Sequence, residues 1–277
     1  MRLLVIGGYG FLGCNFIRYV LGHYHAEFVT NVDAELHPGN HQNLHEVPET
    51  YGERYEFFSS DVTDGAAMDD ILSRHRYFAV IHFASETSLP ATADLIATAT
   101  RHRVKRFVHI AGSNLSGADQ LLLADQSPDE VERLIVRCDS AFGENQWALE
   151  RLPTWIRRLM EGISPVGDQV DGRSRDWLHV NDLCAAIMST MLEGKPGATY
   201  LAGPDSRLPD EVVECWIMAA LKRQLKTPDG DSPAFPPSEA DSSKLRTELE
   251  WHPIVRPQEG IQEVVHWYLR YRERLLP

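Results

Sequence analysis

Residues 3–23, LLVIGGYGFLGCNFIRYVLGH, decide the fold. An apolar run at 3–6 stops at Gly7, and after a short turn Phe16, Ile17, Val20 and Leu21 recur at helical spacing. Such a pattern reads as strand, tight turn, helix. Gly7, Gly10 and Gly13 give the spacing GxxGxxG, which lets the backbone turn sharply, approach a pyrophosphate closely and pack the helix on the sheet. The helix start adds free N–H groups and the positive end of its dipole. A glycine turn of this kind also occurs without a ligand, but its place at the head of an α/β pattern favours binding.

Outward from that turn, strand-like runs at 28–32, 56–58, 79–83 and 106–110 alternate with helical patterns at 67–73 and 91–102. This predicts an α/β protein with a doubly wound parallel sheet. Asp33 closes the second strand about twenty residues after the glycines, where a carboxylate accepts hydrogen bonds from an adenosine ribose and repels a 2′-phosphate. The expected cofactor is therefore NAD rather than NADP, the alternative being that Asp33 is an ordinary turn residue. Asp61 and Val62, after the third strand, are placed to flank the adenine. Beyond about residue 150 the texture changes to helical segments at 155–161, 182–192, 210–225 and 258–274, with a Pro-rich stretch at 227–237 that reads as an exposed loop. The expected division is a dinucleotide-binding domain over 1–145 and a smaller, mostly helical domain over 146–277, with some segments returning to the sheet.

Composition bounds the function. With 277 residues, 43% of them hydrophobic, the chain builds one large α/β unit or two modest domains. A formal charge of −13 disfavours nucleic acid and anionic membranes as partners unless a basic pocket overrides the field. Cys14, Cys138, Cys184 and Cys215 are far apart without a CxxC pair, which argues against disulfides and against a zinc site, so no metal is expected. The apolar start is interrupted by glycines and Arg18, and no apolar run reaches the roughly 18 to 20 residues of a spanning helix. A soluble, cytoplasmic protein is the expectation.

The segments GGYGFLGCNFIRYVL, NVDAELHPGNHQNL, SSDVTD, VIHFASETS and VKRFVHIAGS follow one another as in the cofactor half of the extended short-chain dehydrogenase/reductases. RCDSAFG, ERLPTWI, SRDWLHVNDLCAAI, SKLRTELEWHP and EGIQEVVHWYL continue the likeness, so the chain resembles that Rossmann-type family over nearly its whole length, and within it the dTDP-glucose 4,6-dehydratases. The resemblance implies that Gly7, Gly10, Phe11, Leu12, Gly13, Asp33, Asp61, Val62, Phe83, Ala84 and Ser85 line an NAD site. It further implies that Asn145 and Arg151 border a sugar-nucleotide pocket and that Arg175 contacts a diphosphate. A guanidinium suits a bidentate phosphate contact, although an ion pair with Asp171 or Asp176 is the competing expectation.

The pattern breaks at the chemistry. The family's base is a Tyr with a Lys four residues later, yet no Tyr lies between Tyr77 and Tyr200 and no Lys between Lys105 and Lys195. Where the dehydratases carry Ser-Thr-Asp-Glu, this chain has Ala111, Gly112, Ser113 and Asn114, none of which titrates near neutrality. No catalytic residue is therefore carried over. Fewer than twenty residues separate Gly117 from Ile135, where the resemblance implies a full helix bearing the Tyr and Lys, so that helix is deleted; the remainder is enough for a parallel crossover of about a dozen residues with one short helix begun at Ser127 or Pro128. A second deletion precedes Ser242 and the helix before Ala97 is short, so the resemblance does not settle the oligomeric state. His109, Ser113, Asp139, Glu144 and Glu86 are the polar groups available as a replacement base, while His82 and His179 read as core histidines.

Two functions follow. The chain is either a degenerate relative that binds NAD, and a nucleotide-sugar or related small molecule, as a binding or regulatory subunit of a sugar-nucleotide or polysaccharide pathway, or an active nucleotide-sugar oxidoreductase or epimerase with a relocated acid/base.

Overall fold

The computed structural model describes residues 1–35, 40–83, 88–112, 122, 127, 130–165, 174–221 and 235–276. Ala84, Ser85, Glu86, Ser113, Asn114, Asp171, the helix start expected at Pro128 and most of the Pro-rich stretch lie outside them. Contacts divide the chain into two compact units. The first comprises Met1–Cys138, Cys184–Leu201 and Lys244–Trp251, and the second Asp139–Leu183, Ala202–Ser243 and His252–Pro277. In this division 184–201 and 244–251 group with the first 138 residues.

The first unit is built on a seven-stranded sheet. Its strands are β1 (Arg2–Ile6), β2 (Phe28–Asp33), β3 (Tyr55–Ser59), β4 (Ala79–His82), β5 (Arg106–Ala111), β6 (Glu132–Arg137) and β10 (Thr199–Leu201), in the order β10-β6-β5-β4-β1-β2-β3. Every pairing in it is parallel. A parallel strand covered on both faces has no polar side to show, and accordingly Leu3, Leu4, Val5 and Ile6 are all buried. Helices α1 (Phe11–His23), α2 (Val47–Tyr51), α3 (Gly65–Arg74) and α4 (Leu89–Arg101) follow successive strands. Asp64 caps α3 by accepting from the N–H groups of Ala66 and Ala67, and Ser88 caps α4 ahead of Pro90. The strand order reverses between β1 and β4, and in such sheets ligands bind at the carboxyl ends of the strands beside that reversal. The glycine turn leaves β1 at that place.

One strand of this sheet is too short to stand out as a strand-like run in the sequence. Strand β10 has only three residues, and it is fixed by Tyr200, a fully buried ring whose hydroxyl donates to Glu248 (3.0 Å) on α8 (Ser243–Leu249). Helix α6 (Val180–Glu193) belongs partly to each unit.

The second unit packs α5 (Arg151–Met160), α7 (Asp210–Ala220) and α9 (Pro257–Arg270) into one apolar core. Leu152, Trp155, Ile156 and Leu159 on α5, and Ile261, Val264, Val265 and Tyr268 on α9, are buried at the i, i+3, i+4, i+7 spacing that faces a helix toward a core. Burial of each such side chain stabilises by roughly 1.5–3 kcal/mol. Two short ladders complete it. One joins β7 (Ala141–Phe142) to β9 (Leu178–His179), the other β8 (Ser174–Arg175) to β11 (Leu208–Pro209). Among the described residues no helix is long and apolar enough to cross a membrane.

Candidate functional site

The glycine turn is a rigid object. Gly7 has φ +80°, a conformation that side chains resist, and its N–H donates to the Val32 carbonyl (2.9 Å). A Cβ on Gly13 would lie 2.3 Å from the Gly7 carbonyl oxygen and 2.7 Å from Gly8 Cα, so only glycine lets α1 sit this close to the turn. Gly8, which the GxxGxxG spacing did not single out, is under the same pressure, since a Cβ there would lie 2.0 Å from Asn31 Oδ1. Gly10 is less constrained: it is the extended N-cap of α1, and a Cβ on it would meet Gly7 oxygen at 3.4 Å. No side chain caps this helix, and the bond from Cys14 N–H to Gly10 oxygen (2.9 Å) leaves the N–H groups of Phe11, Leu12 and Gly13 ahead of it. Those donors are what a phosphate requires.

Asp33 ends β2 beside this turn. Its Oδ2 accepts from Tyr9 N–H (2.9 Å) and its Oδ1 from Glu35 N–H (2.8 Å), which fixes the carboxylate while each oxygen keeps acceptor capacity for a ribose hydroxyl. Asp61 is exposed and turned inward on its own loop, accepting from the Thr63 N–H and hydroxyl (both 2.8 Å), bonds that hold its carboxyl below the usual range. Val62 is half-buried against the first unit's core and lines a cavity of about 220 Å³ together with Met68, Ala91 and Leu95. Phe83 follows β4, donates its N–H to Ile6 oxygen (2.9 Å) and packs its ring on Phe16. Gly7, Gly10, Phe11, Leu12, Gly13 and Asp33 thus surround one turn, with Phe83 hydrogen-bonded to the strand that feeds it.

Of the groups considered as a replacement base, His109 is enclosed in the sheet. Its Nδ1 lies 2.9 Å from Nδ1 of His82 on the neighbouring strand, and burial, with His109 adding a second charge, pushes His82 down to about 3. Asp139 is exposed and Glu144 half-buried. Sequence spacing had not paired the two histidines, although the register placing His82 opposite His109 follows once β4 and β5 are neighbours.

In the second unit Asn145 is buried with φ +63°, a left-handed conformation that Asn tolerates better than most residues. The loop around it is held by Gln146, whose amide donates to Glu150 Oε2 (2.8 Å) and to the Ala141 carbonyl (3.3 Å). Arg151 is exposed and lies over the Trp155 ring. Asp171 lies outside the described residues, and Arg175 does not pair with Asp176. Its partner is Asp210, at the start of α7, with Arg175 Nε 3.0 Å from Oδ1 and Nη2 3.1 Å from Oδ2. The sequence concealed this pair because its members are 35 positions apart and meet only through the β8–β11 ladder.

The second unit also holds a cavity of about 600 Å³, lined by Trp177, His179, Trp216, Phe235, Ile254 and Gln258 among others. Its size suits a small molecule. Burial depresses His179 to about 4, so the ring is neutral at physiological pH, and its Nδ1 accepts from Asn181 N–H (3.2 Å). Asp182, whose carboxyl burial raises against two backbone hydrogen bonds, holds the N–H groups of Ile254 and Val255 at its edge. Neither Asn145, Arg151 nor Arg175 lines this cavity.

A parallel sheet that reverses beside an uncapped glycine turn, with a carboxylate at the end of its second strand, defines a dinucleotide-binding α/β protein. The profile described as "NAD dependent epimerase/dehydratase family" matches residues 3–134. A dTDP-glucose 4,6-dehydratase of Streptomyces niveus is 30% identical over 97% of this chain and 93% of its own length. The chain belongs to the NAD dependent epimerase/dehydratase family, as an extended short-chain dehydrogenase/reductase related to the dTDP-glucose 4,6-dehydratases. Among solved structures, the Streptomyces venezuelae dTDP-glucose 4,6-dehydratase DesIV, crystallised with NAD, is 25% identical with a TM-score of 0.83, covering 100% of this chain and 99% of that one. The Bacillus anthracis dTDP-glucose 4,6-dehydratase, 24% identical with a TM-score of 0.84 over 99% of this chain and 98% of that one, shares the fold. The alignment with the Streptomyces niveus protein runs over 318 positions, more than this chain's 277 residues, so that relative carries residues absent here.

Proposed function

We propose that this protein binds NAD at the glycine turn and Asp33 but does not dehydrate dTDP-glucose, serving instead as a binding or regulatory subunit in a sugar-nucleotide or polysaccharide pathway. The cofactor fits the residues present: the α1 start offers uncapped N–H groups, and Asp33 is held in place with free lone pairs. NAD, when bound, supplies a hydride acceptor, and the chain's part is to seat the pyrophosphate and the ribose. Asn145, Arg151 and Arg175 are the proposed border of a sugar-nucleotide pocket, with Arg175 Nε and Nη2 engaged by Asp210.

The observation that carries the loss of turnover is the segment after β5. It runs Ala111-Gly112-Ser113-Asn114, and from there to residue 199 the chain contains neither a Tyr nor, apart from Lys195, a Lys. Proton abstraction from a sugar hydroxyl and loss of water both need a group that titrates near neutrality. His109, the nearest candidate by sequence, is buried against His82. Calorimetric titration is expected to show NAD binding and weaker NADP binding. Incubation with NAD and dTDP-glucose is expected to yield no 4-keto-6-deoxy sugar by its alkaline absorbance, and formation of that product would reject the reading. NADH production from a nucleotide-sugar without dehydration would favour an oxidoreductase or epimerase with a relocated acid/base.

A further inference from the structure

Arg175 and Asp210 meet because of strand register. In the β8–β11 ladder Leu208 stands opposite Arg175 and Pro209 opposite Ser174, so the next residue, the first of α7, arrives beside the guanidinium. Asp210 is buried, and Arg175 Nε and Nη2 donate to its two carboxylate oxygens in the forked geometry with which arginine otherwise grips a phosphate. A carboxylate in the first turn of a helix is further favoured by the helix dipole.

The sequence neighbours of the pair add negative charge. Asp176 Oδ1 and Glu211 Oε1 are buried without a hydrogen-bond partner among the described residues, and Arg207, just before β11, is engaged by Glu239. A diphosphate approaching Arg175 therefore meets a cation already paired with one buried carboxylate, with Asp176 and Glu211 adjacent to the pair in sequence. Like charges brought together under low solvation repel strongly.

We infer that Asp210 is an internal stand-in for a ligand phosphate at Arg175 and sets the ligand selectivity of the second unit, so that a nucleoside diphosphate binds only by displacing it. The inference rests on the reading of the protein as a family member that keeps a sugar-nucleotide pocket. Wild-type protein then holds nucleoside diphosphates weakly, and the residue responsible is Asp210 rather than any loss at Arg175.

The test is calorimetric titration of dTDP into wild-type protein, Asp210→Asn and the double variant Asp210→Asn/Arg175→Gln, with NAD titrated into the same samples. Asp210→Asn is expected to bind dTDP at least tenfold more tightly than wild type, the double variant to lose that gain, and NAD affinity to stay the same in all three. Equal dTDP affinity in wild type and Asp210→Asn overturns the inference, as does a gain that survives in the double variant or an absence of dTDP binding by both. Asp210→Ser serves if Asp210→Asn melts too low to titrate. Failure of wild type to bind NAD is a separate readout and rejects the cofactor reading instead.

Discussion

The glycine turn of the first unit and the Arg175 pair of the second are both places where this fold presents hydrogen-bond donors suited to phosphate, and they differ in what occupies those donors. At the turn the donors are backbone N–H groups of Phe11, Leu12 and Gly13, and no side chain caps them. At Arg175 the donors belong to a guanidinium, and Asp210 engages its Nε and Nη2 from within the chain. Backbone donors are fixed by helix geometry and survive most substitutions nearby, whereas a side-chain donor is silenced by one well-placed carboxylate. A family member can therefore retain its cofactor seat while its substrate contacts change.

The strongest way to break the comparison is Gly13→Val. A Cβ there would overlap the Gly7 carbonyl, so the variant is expected to lose NAD binding by at least about a hundredfold and to cost about 3 kcal/mol or more in stability, through overpacking and turn distortion. Calorimetry and thermal melting measure the two effects, and normal NAD affinity would show that the turn does not seat the cofactor. Acid is the next largest perturbation, and it acts in both units. His82 is held down to about 3 and His179 to about 4 when folded, against an unfolded value near 6.5. Between those limits the unfolded chain binds more protons, so the stability from keeping the rings neutral is full above about pH 6.5 and falls as pH drops toward the folded values. At pH 5 each ring accounts for roughly 2 kcal/mol, and the melting temperature should be several degrees below that at pH 7.5. His179→Gln should flatten that slope, and an unchanged slope would show that His179 does not contribute to it.

Smaller effects sharpen the contrast. Arg175→Ala strands the buried carboxylate of Asp210 and is expected to cost about 1–3 kcal/mol in thermal or urea unfolding while NAD affinity is unchanged, because that pair serves the second unit alone. Asp33→Asn should weaken NAD about tenfold and narrow its advantage over NADP, by removing the charge that repels a 2′-phosphate. Gly10→Ala, where a new Cβ meets only a 3.4 Å contact, should change NAD affinity less than Gly13→Ala in the same titration.

The legible part of the molecule is the part written in local pattern. The apolar run before Gly7, the strands at 28–32, 79–83 and 106–110, and the helices at 91–102 and 182–192 all fall within a few residues of the observed elements, because strand and helix periodicity each leave a distinct mark. The helix expected at 16–21 begins at Phe11 instead, since its first turn is masked by glycines. Gly8 was not singled out because its constraint comes from Asn31, a residue on the next strand. The pairing of Arg175 with Asp210 has a similar origin: Asp176 is adjacent in sequence, but a β-ladder brings position 210 to the guanidinium.

What the sequence determined alone was the kind of fold, the place of the glycine turn and the lack of any Tyr or Lys between residues 114 and 194, since each of these is a matter of residue type at short spacing. Only the tertiary structure decided that β10 and α8 return to the first unit, that His82 and His109 meet through their Nδ1 atoms in one sheet, and that Arg175 is already bonded to Asp210. Those facts depend on contacts between segments far apart in the chain. Such contacts are fixed by packing and register, which no local run of residues encodes.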